Sequence, residues 1–362
     1  MDDIGWLLPI AGGVAGIVLG AVARLDHFCT LKALERHWYA NDSTGLRTWA
    51  LAATVAIILT QAMTLSGLID LRTAFYLDPS FGWTGAVIGG LAFGVGMALV
   101  GTCGFGALVR LGGGSLRSLV VLLVLGLSAL AAQRGLFAQV RNRIVDDIAL
   151  DLSFAGDQSM GSLASAFLHF DARLATAALI VTLLLSWIFS SAAYRRQFGH
   201  IATGTVVGCV IAFGWLATTW AADHAFEPVQ LEAGSFVVPV GDTIVQFIAY
   251  TGVLPDYGVG LVIGVPLGAA AVAWRRHDVR WEACDDAREL GRHIAGGFLM
   301  GAGGVFAMGC TIGQGMTAAS VLAVSVPLVM ASIGIGARLG LSYMLEGSPW
   351  AAFGVSGHDS VR

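Results

Sequence analysis

One stretch of this chain occurs twice, as GGLAFGVGMALVGTCGFG at residues 89–106 and as GGFLMGAGGVFAMGCTIG at residues 296–313. The two copies align without a gap, and five glycines and one cysteine coincide. Glycines let apolar helices approach each other closely, and the Cys-x-x-Gly that ends each copy leaves the helical pattern where a membrane span would end or break. The repeat therefore predicts two glycine-rich membrane helices that each end at a thiol, Cys103 in the first copy and Cys310 in the second.

The composition places the chain among integral membrane proteins. Of its 362 residues, 56% are hydrophobic and only 12% are charged, and the mean hydropathy is +0.76. A soluble protein of this size needs more charge to cover its surface. The net charge of −4 gives no support for nucleic acid binding. Since Met1 is followed by two aspartates and no basic region, we expect the first apolar run to be retained as a span.

Apolar runs of about 20 residues predict nine membrane spans. They lie near residues 4–24, 46–68, 83–102, 115–136, 173–194, 199–222, 257–275, 292–310 and 321–345. Shorter apolar segments predict re-entrant half-helices, which are tolerated where they are buried in protein or line a cavity. These segments are 29–39, 70–77, 103–112, 242–253 and 311–320. The polar insert 137–172 predicts a surface linker, so we expect an all-α membrane protein with a single transmembrane domain over residues 1–362.

The two copies of the repeat belong to the third and the eighth predicted span, so they should run in opposite directions through the bilayer. A weaker match pairs Gly16 and Gly20 in the first span with Gly204 and Gly208 in the sixth, at the same offset. Inverted repeats are a recurring transporter architecture, with the substrate site near the midplane at the repeat interface. We therefore expect a pseudo-two-fold inverted repeat. Its halves would cover about residues 4–136 and 199–345.

Basic residues concentrate in the loops after odd-numbered spans, which the positive-inside rule assigns to the cytoplasm. This predicts a bacterial inner-membrane protein with a periplasmic N-terminus and a cytoplasmic C-terminus. Cys103 would then face inward from the cytoplasmic side and Cys310 from the outer side.

The predicted half-helices offer a site for an anion. A helix N-terminus presents free N–H groups and a partial positive charge, so converging half-helices can hold an anion without a buried Lys or Arg. Cys29, at the start of a short apolar segment, joins Cys103 and Cys310 as a candidate, whereas Cys209 and Cys284 have no motif around them. The Cys and His spacing does not fit a zinc site, and a disulfide between Cys103 and Cys310 stays open.

Three segments carry a family resemblance: GAVARLDHFCT at 20–30, GTCGFGALVRLGGG at 101–114 and GCTIGQG at 309–315. In this order they resemble the signature segments of the YeeE/YedE membrane protein family. The resemblance implies uptake of thiosulfate across the bacterial inner membrane and an hourglass-shaped arrangement of nine spans with half-helices. It also implies that Cys29, Cys103 and Cys310 are the pathway cysteines, with Cys103 at the constriction, and that a cytoplasmic sulfur-carrier protein is a partner.

The implied chemistry uses neutral thiols. An S–H group can donate a weak bond to the soft sulfur of thiosulfate while helix N-termini balance the oxygens, and a ladder of weak sites passes an ion without trapping it. We expect the order Cys310, Cys103 and Cys29 from outside to inside. Gln314 would either donate to the ion or satisfy local backbone. The residues expected to support the site are Thr30, Gly104, Gly106, Thr311, Gly313 and Gln314.

Two alternatives remain open at this point. The cargo could be another sulfur or selenium species, or the chain could be a membrane-embedded sulfurtransferase or thiol redox protein. A reactive cysteine needs an activating neighbour, and the nearest cationic residue after Cys103 is Arg110, seven positions on. We therefore expect that the chain is not an enzyme and has no catalytic residues. We also expect no metal and no cofactor, and a monomer in the lipid bilayer.

Overall fold

The computed structural model describes residues 3–225, 229–249, 255–348 and 352. Its α-helices, in chain order and within the described residues, are α1 (Asp3–Asp26), α2 (Thr30–Ala40), α3 (Thr44–Leu65), α4 (Trp83–Val100), α5 (Gly104–Gly112), α6 (Leu116–Gln133), α7 (Leu136–Arg141), α8 (Met160–Leu168), α9 (Arg173–Phe189), α10 (Ala192–Arg195), α11 (Phe198–His224), α12 (Val238–Ile248), α13 (Tyr257–Arg275), α14 (Ala287–Phe306) and α15 (Ser325–Glu346). Short 3-10 helices lie at Phe75–Leu77 and Ser153–Ala155, and π-helical segments at Asn142–Asp146 and Gly313–Ala318. Two short strands, β1 (Ser80–Phe81) and β2 (Leu150–Asp151), pair antiparallel.

A helix lies at the position of each predicted span. Among the described residues, seven helical segments are long and apolar enough to cross a membrane. The other two predicted spans correspond to α9, which is apolar but has 17 residues, and to α14, whose first turns carry Arg288, Glu289 and Arg292. The expectation of an all-α, multi-pass membrane protein is confirmed, and nine spans stays a prediction.

Short helices form at four of the predicted half-helices. Three of them are α2, α5 and α12, and residues 311–320 form the fourth, with the π-helical segment inside it. α12 begins before the predicted segment 242–253, and residues 250–253 of that prediction lie outside the described residues.

The prediction of a half-helix over 70–77 is wrong. These residues form only the three-residue 3-10 helix Phe75–Leu77. The Asp70 carboxylate accepts the backbone N–H of Arg72 at 3.0 Å, which turns the chain in the manner of an Asx turn. Leu71 and Tyr76 are nevertheless buried. The apolar residues of this segment therefore enter the core from an irregular backbone, which hydropathy alone does not distinguish from a half-helix.

The two copies of the sequence repeat pack directly on each other in antiparallel order, through α4 and α14. A Cβ at Gly96 would lie 2.6 Å from the Gly296 carbonyl oxygen, and a Cβ at Gly303 would lie 2.7 Å from the Gly89 carbonyl oxygen. Gly89 aligns with Gly296 and Gly96 with Gly303, so each contact is repeated by its equivalent, as across a two-fold axis. We call this contact the glycine seam.

The other long helices show the same relation. α1 packs in parallel on α13 through Gly16 and Gly20, and α11 packs in parallel on α3 through Gly204 and Gly208. α15 lies beside α4, and α6 lies beside α14. A two-fold relation therefore exchanges α1 with α11, α3 with α13, α4 with α14 and α6 with α15. Under this exchange, each packed pair of helices becomes another packed pair. The weaker glycine match of the sequence falls at equivalent positions in this packing.

The insert 137–172 is fastened to the long helices. β2 pairs with β1, and the buried side chain of Val145 fills the space beside Gly82 and Gly85 at the start of α4. Gln158 is also buried. Its backbone carbonyl oxygen accepts the backbone N–H of Val324, just before α15, at 2.9 Å. The insert thus ties together the starts of α4 and α15, which lie side by side.

Candidate thiol pathway

Each of the three candidate cysteines stands at the N-terminal end of a half-helix. Cys29 is the N-cap of α2 and Cys103 is the N-cap of α5, both with extended backbone. Cys310 precedes the helical residues 311–320, and its Sγ accepts the Gly313 N–H at 3.3 Å in the manner of an N-cap side chain. All three thiols therefore lie where a helix presents free N–H groups and a partial positive charge.

Glycines allow these helix starts to pack against their surroundings. A Cβ on Gly104 would lie 2.8 Å from the Phe236 carbonyl oxygen, and a Cβ on Gly106 would lie 2.1 Å from the Thr102 hydroxyl oxygen. The ring of Phe105 packs on that of Phe236 with centroids 4.9 Å apart. The start of α5 therefore touches the chain that leads into α12, which brings the half-helices of the two repeats together.

The other two half-helices join the same centre through side-chain hydrogen bonds. The Thr317 hydroxyl, in the helical residues 311–320, donates to the Gly234 carbonyl oxygen at 2.7 Å and lies 3.1 Å from the Gly234 amide nitrogen, which donates to it. The Cys29 Sγ at the start of α2 lies 3.9 Å from the Thr102 hydroxyl oxygen. Four half-helices thus converge on the region around Cys103.

Thiols and hydroxyls lie near one another at this centre, and we call Cys310, Cys103 and Cys29 the line of thiols. The Cys103 thiol lies beside the Thr311 hydroxyl and within electrostatic reach of the thiols of both Cys29 and Cys310. Cys103 and Cys310 are each 1% exposed. The Thr311 hydroxyl is buried and has no hydrogen-bond partner of good geometry among the described residues. A buried hydroxyl without a partner is costly, so its position is one that a polar occupant would stabilise.

A cavity lies at each end of this line. The Cys29 cavity has a volume of about 380 Å³ and is lined by Cys29, Lys32 and Arg36, together with Asp26 and His200, whose side chains pair at 2.6 Å. The Tyr76 cavity, of about 160 Å³, is lined by Tyr76, Glu232, Ser235 and Gly309, the residue before Cys310. Cys103 and Cys310 are not among the residues that line either cavity, and both thiols are buried.

Thr30 and Gln314, both predicted to support the site, are buried. Thr30 is the first residue of α2. The Gln314 amide nitrogen donates to the carbonyl oxygens of Ala307 and Met308, at 2.9 and 3.2 Å, and its carbonyl oxygen accepts from the Ser325 hydroxyl at 3.1 Å. Its amide hydrogens are thus used by the local backbone, which is the second of the two roles considered for it.

The five cysteines are all free thiols, so the disulfide left open between Cys103 and Cys310 is not formed. Cys209 is exposed on α11 and Cys284 is partly exposed in the loop before α14. Within the described residues, no group of three or more His, Cys, Asp or Glu side chains is arranged to hold a metal ion.

Sequence reasoning missed three polar residues of the Tyr76 cavity: Tyr76, Ser235 and Glu232. Glu232 lies in the connection between α11 and α12, and its carboxylate accepts the Gly258 N–H at 2.8 Å. Burial, followed by the nearby Asp256 carboxylate, raises the pKa of Glu232 to about 8. These residues lie outside both copies of the repeat. The available signal for Glu232 was a lone carboxylate in the otherwise uncharged stretch 229–241.

Comparison with known proteins identifies the family of this chain. The profile of the family described as sulphur transport matches residues 27–339. The thiosulfate transporter TsuA of Escherichia coli (strain K12) is 24% identical over 329 residues, which cover 85% of this chain and 86% of that protein. The thiosulfate transporter TsuA of Spirochaeta thermophila is 23% identical over 321 residues, covering 87% and 92%. The matched region includes all three candidate cysteines, and the chain belongs to the sulphur transport (YeeE/YedE) family.

Proposed function

We propose that this protein takes up thiosulfate across the bacterial inner membrane along the line of Cys310, Cys103 and Cys29. Membership of the sulphur transport family supports transport of a sulfur anion, and the names of the two relatives support thiosulfate as that anion. The observation that carries the proposal is the placement of three thiols at the N-termini of converging half-helices.

This placement suits the two chemically different ends of thiosulfate. The terminal sulfur is large and weakly hydrated, so it can accept weak S–H bonds, whereas the sulfonate oxygens favour the stronger N–H donors of a helix start. Sulfate lacks the terminal sulfur, so it offers a thiol only an oxygen and no soft acceptor. A thiol at the start of each half-helix therefore discriminates between two dianions of similar size.

The closeness of the three thiols supports movement of the ion along the line over tight binding at a single thiol. Each S–H bond is weak and the Cys103 thiol has both other thiols in its neighbourhood, so the three thiols would form successive weak sites for the ion. The Thr311 hydroxyl beside Cys103 and the Thr102 hydroxyl beside Cys29 would hold the ion during these transfers. We place Cys310 toward the outside and Cys29 toward the cytoplasm, with a periplasmic N-terminus and a cytoplasmic C-terminus.

The membrane potential opposes this direction of transport. Moving one charge through 100 mV costs about 2.3 kcal/mol, so a dianion entering a negative interior is opposed by about 5 kcal/mol. Uptake therefore needs a coupled cation or rapid removal of thiosulfate inside. We propose removal, by a cytoplasmic sulfur-carrier protein that meets the monomeric transporter at the Cys29 cavity, whose wall includes Lys32 and Arg36.

The surroundings of Cys103 favour transport over sulfur transfer. A nucleophilic cysteine needs a neighbouring cation or base that lowers its thiol pKa. The Arg110 guanidinium donates to the Gly101 carbonyl oxygen at 2.8 Å, where it caps the end of α4. The groups that bear on the Cys103 thiol are the Gly106 backbone N–H, the Thr311 hydroxyl and the thiols of Cys29 and Cys310, and none of these is a base or a charged cation.

Growth on thiosulfate tests the proposal. A bacterium lacking sulfate and thiosulfate uptake would carry the wild-type chain, Cys103→Ala or Cys209→Ala, with thiosulfate as the sole sulfur source. We expect growth with the wild type and with Cys209→Ala, whose thiol is exposed on α11, and no growth with Cys103→Ala at equal membrane levels. Equal growth with all three would refute the role of the thiols, and no growth with the wild type would refute thiosulfate as the cargo.

A further inference from the structure

The wall of the Tyr76 cavity includes two hydroxyl side chains, Tyr76 and Ser235, that lie close to the turn beginning at Cys310. Tyr76 reaches this point from the short 3-10 helix Phe75–Leu77, and Ser235 from the connection before α12. A Cβ built on Gly313 would lie 3.1 Å from the Tyr76 hydroxyl oxygen and 3.3 Å from the Ser235 hydroxyl oxygen. Two hydroxyls from separate parts of the chain thus converge on one backbone position.

The same backbone position holds the Cys310 thiol, because the Gly313 N–H donates to the Cys310 Sγ at 3.3 Å. The Tyr76 hydroxyl also has both Cys310 and Glu232 in its neighbourhood. Tyr76 therefore lines the cavity and lies near the Cys310 thiol. Its ring is buried, with 8% of the residue exposed, so its hydroxyl is held in place.

We propose that Tyr76 and Ser235, together with Cys310, form an entry site for an oxyanion that carries a terminal sulfur. The two hydroxyls donate to oxygens of the sulfonate group, and the thiol donates to the terminal sulfur. This inference rests on the proposed function, because it names the residues that first bind the transported ion. Neither hydroxyl belongs to a cysteine motif or to the sequence repeat.

The arrangement gives the entry site a selectivity of its own. An ion with oxygens and no terminal sulfur engages both hydroxyls but offers the thiol no soft sulfur. An ion with sulfur and no oxygens, such as hydrosulfide, has a single acceptor atom for the three donors. Thiosulfate uses all three donors, and so does selenosulfate, in which selenium replaces the terminal sulfur. The entry site therefore selects for a two-ended ion before the ion reaches Cys103.

Gly313 fits this assignment. A side chain there would occupy the space on which the two hydroxyls converge. In the first repeat the equivalent glycine, Gly106, has a single hydroxyl above it, that of Thr102 at 2.1 Å from a built Cβ. The two repeats thus keep the glycine and the preceding cysteine but differ in the hydroxyls around them, and the entry site belongs to the second repeat alone.

Uptake kinetics in proteoliposomes test the entry site. The full-length chain and its Tyr76→Phe variant are compared for uptake of labelled thiosulfate, with Tyr39→Phe as the matched control. The Tyr39 hydroxyl is remote from the line and contacts Ser342 and Glu346. Loss of one hydrogen bond to a charged acceptor predicts a rise in KM of about tenfold for Tyr76→Phe, with the maximal rate little changed. Tyr39→Phe should keep the wild-type KM.

The alternative is that the Tyr76 and Ser235 hydroxyls form a hydrogen bond with each other and bind no ion. In that case Tyr76→Phe lowers the melting temperature and leaves KM unchanged, which overturns the entry site. Ser235→Ala provides a second variant if Tyr76→Phe fails to fold, and it should raise KM in the same way. Absence of thiosulfate uptake by the wild-type chain refutes the proposed function itself, whereas wild-type uptake with unchanged KM in both variants refutes only the entry site.

Discussion

The glycine seam between α4 and α14 allows a test of the inverted repeat by two equivalent substitutions, Gly96→Ala and Gly303→Ala. A Cβ at Gly96 would lie 2.6 Å from a carbonyl oxygen of α14, and one at Gly303 would lie 2.7 Å from a carbonyl oxygen of α4. Ordinary van der Waals contact begins at 3.4 Å, so either methyl group must separate the two helices by about 0.7 to 0.8 Å. The obstructing atoms are backbone, which cannot rotate away.

The cost follows from two opposing effects. Overpacking of this kind typically costs about 1–3 kcal/mol. Replacing glycine by alanine in a helix returns about 0.5–1 kcal/mol through propensity. The expected net loss is about 1–2 kcal/mol for each variant, which corresponds to a fall of a few degrees in melting temperature. Because α4 leads into Cys103 and α14 into Cys310, we also expect slower thiosulfate uptake in both variants.

Melting of the detergent-solubilised protein and uptake in proteoliposomes measure these effects. Gly334→Ala is the matched control, since it also replaces a helical glycine but a Cβ there meets no atom within 4 Å. It should be as stable as the wild type or slightly more stable. The reasoning fails if Gly96→Ala melts like Gly334→Ala, and the two-fold relation fails if only one of Gly96→Ala and Gly303→Ala is destabilised.

Two further predictions concern polar groups beside the line of thiols. Because the pKa of Glu232 is raised to about 8, its carboxyl is neutral below that pH and repels a dianion above it, so uptake should fall as the external pH rises through about 8. Glu232→Gln should remove this decline, and a decline of equal size in the variant would contradict the assignment. Thr311→Val removes a buried hydroxyl without a well-placed partner, so the protein should be equally stable or more stable by up to about 1 kcal/mol while uptake slows. Unchanged uptake in Thr311→Val, measured alongside its melting temperature, would show that the hydroxyl does not face the ion.

The helices around the site were predictable from the sequence because their signals are local. Glycine spacing marks positions where two backbones touch, and the glycine seam forms at the matched glycines of the repeat. The cysteines were identifiable because each stands where an apolar segment resumes after a break. A new helix begins at that point, and the N-cap positions of Cys29 and Cys103 follow from it.

The Tyr76 cavity was not predictable in this way, because tertiary packing alone assembles it. Tyr76 lies in an apolar run whose backbone is irregular, and Glu232 and Ser235 lie in a connection between two helices. No periodicity or repeat relates these segments to one another. A hydropathy profile also assigns any carboxylate to an exposed loop. The burial of Glu232 and its contact with Gly258 are properties of the folded chain, and the sequence does not indicate them.

The helix α9 has a consequence for how such a protein can arise. Only Ala177 and Ile188 of this helix are buried, and it has no counterpart in the exchange that relates the two halves. Four long helices precede it and four follow, so direct fusion of two identical halves would leave them parallel. The second half is inverted when an odd number of crossings separates the halves, and α9 is the apolar helix that lies between them. An architecture of this kind can arise when a half that inserts in either orientation, and pairs with its own inverted copy, is joined to that copy within one chain by a single crossing helix.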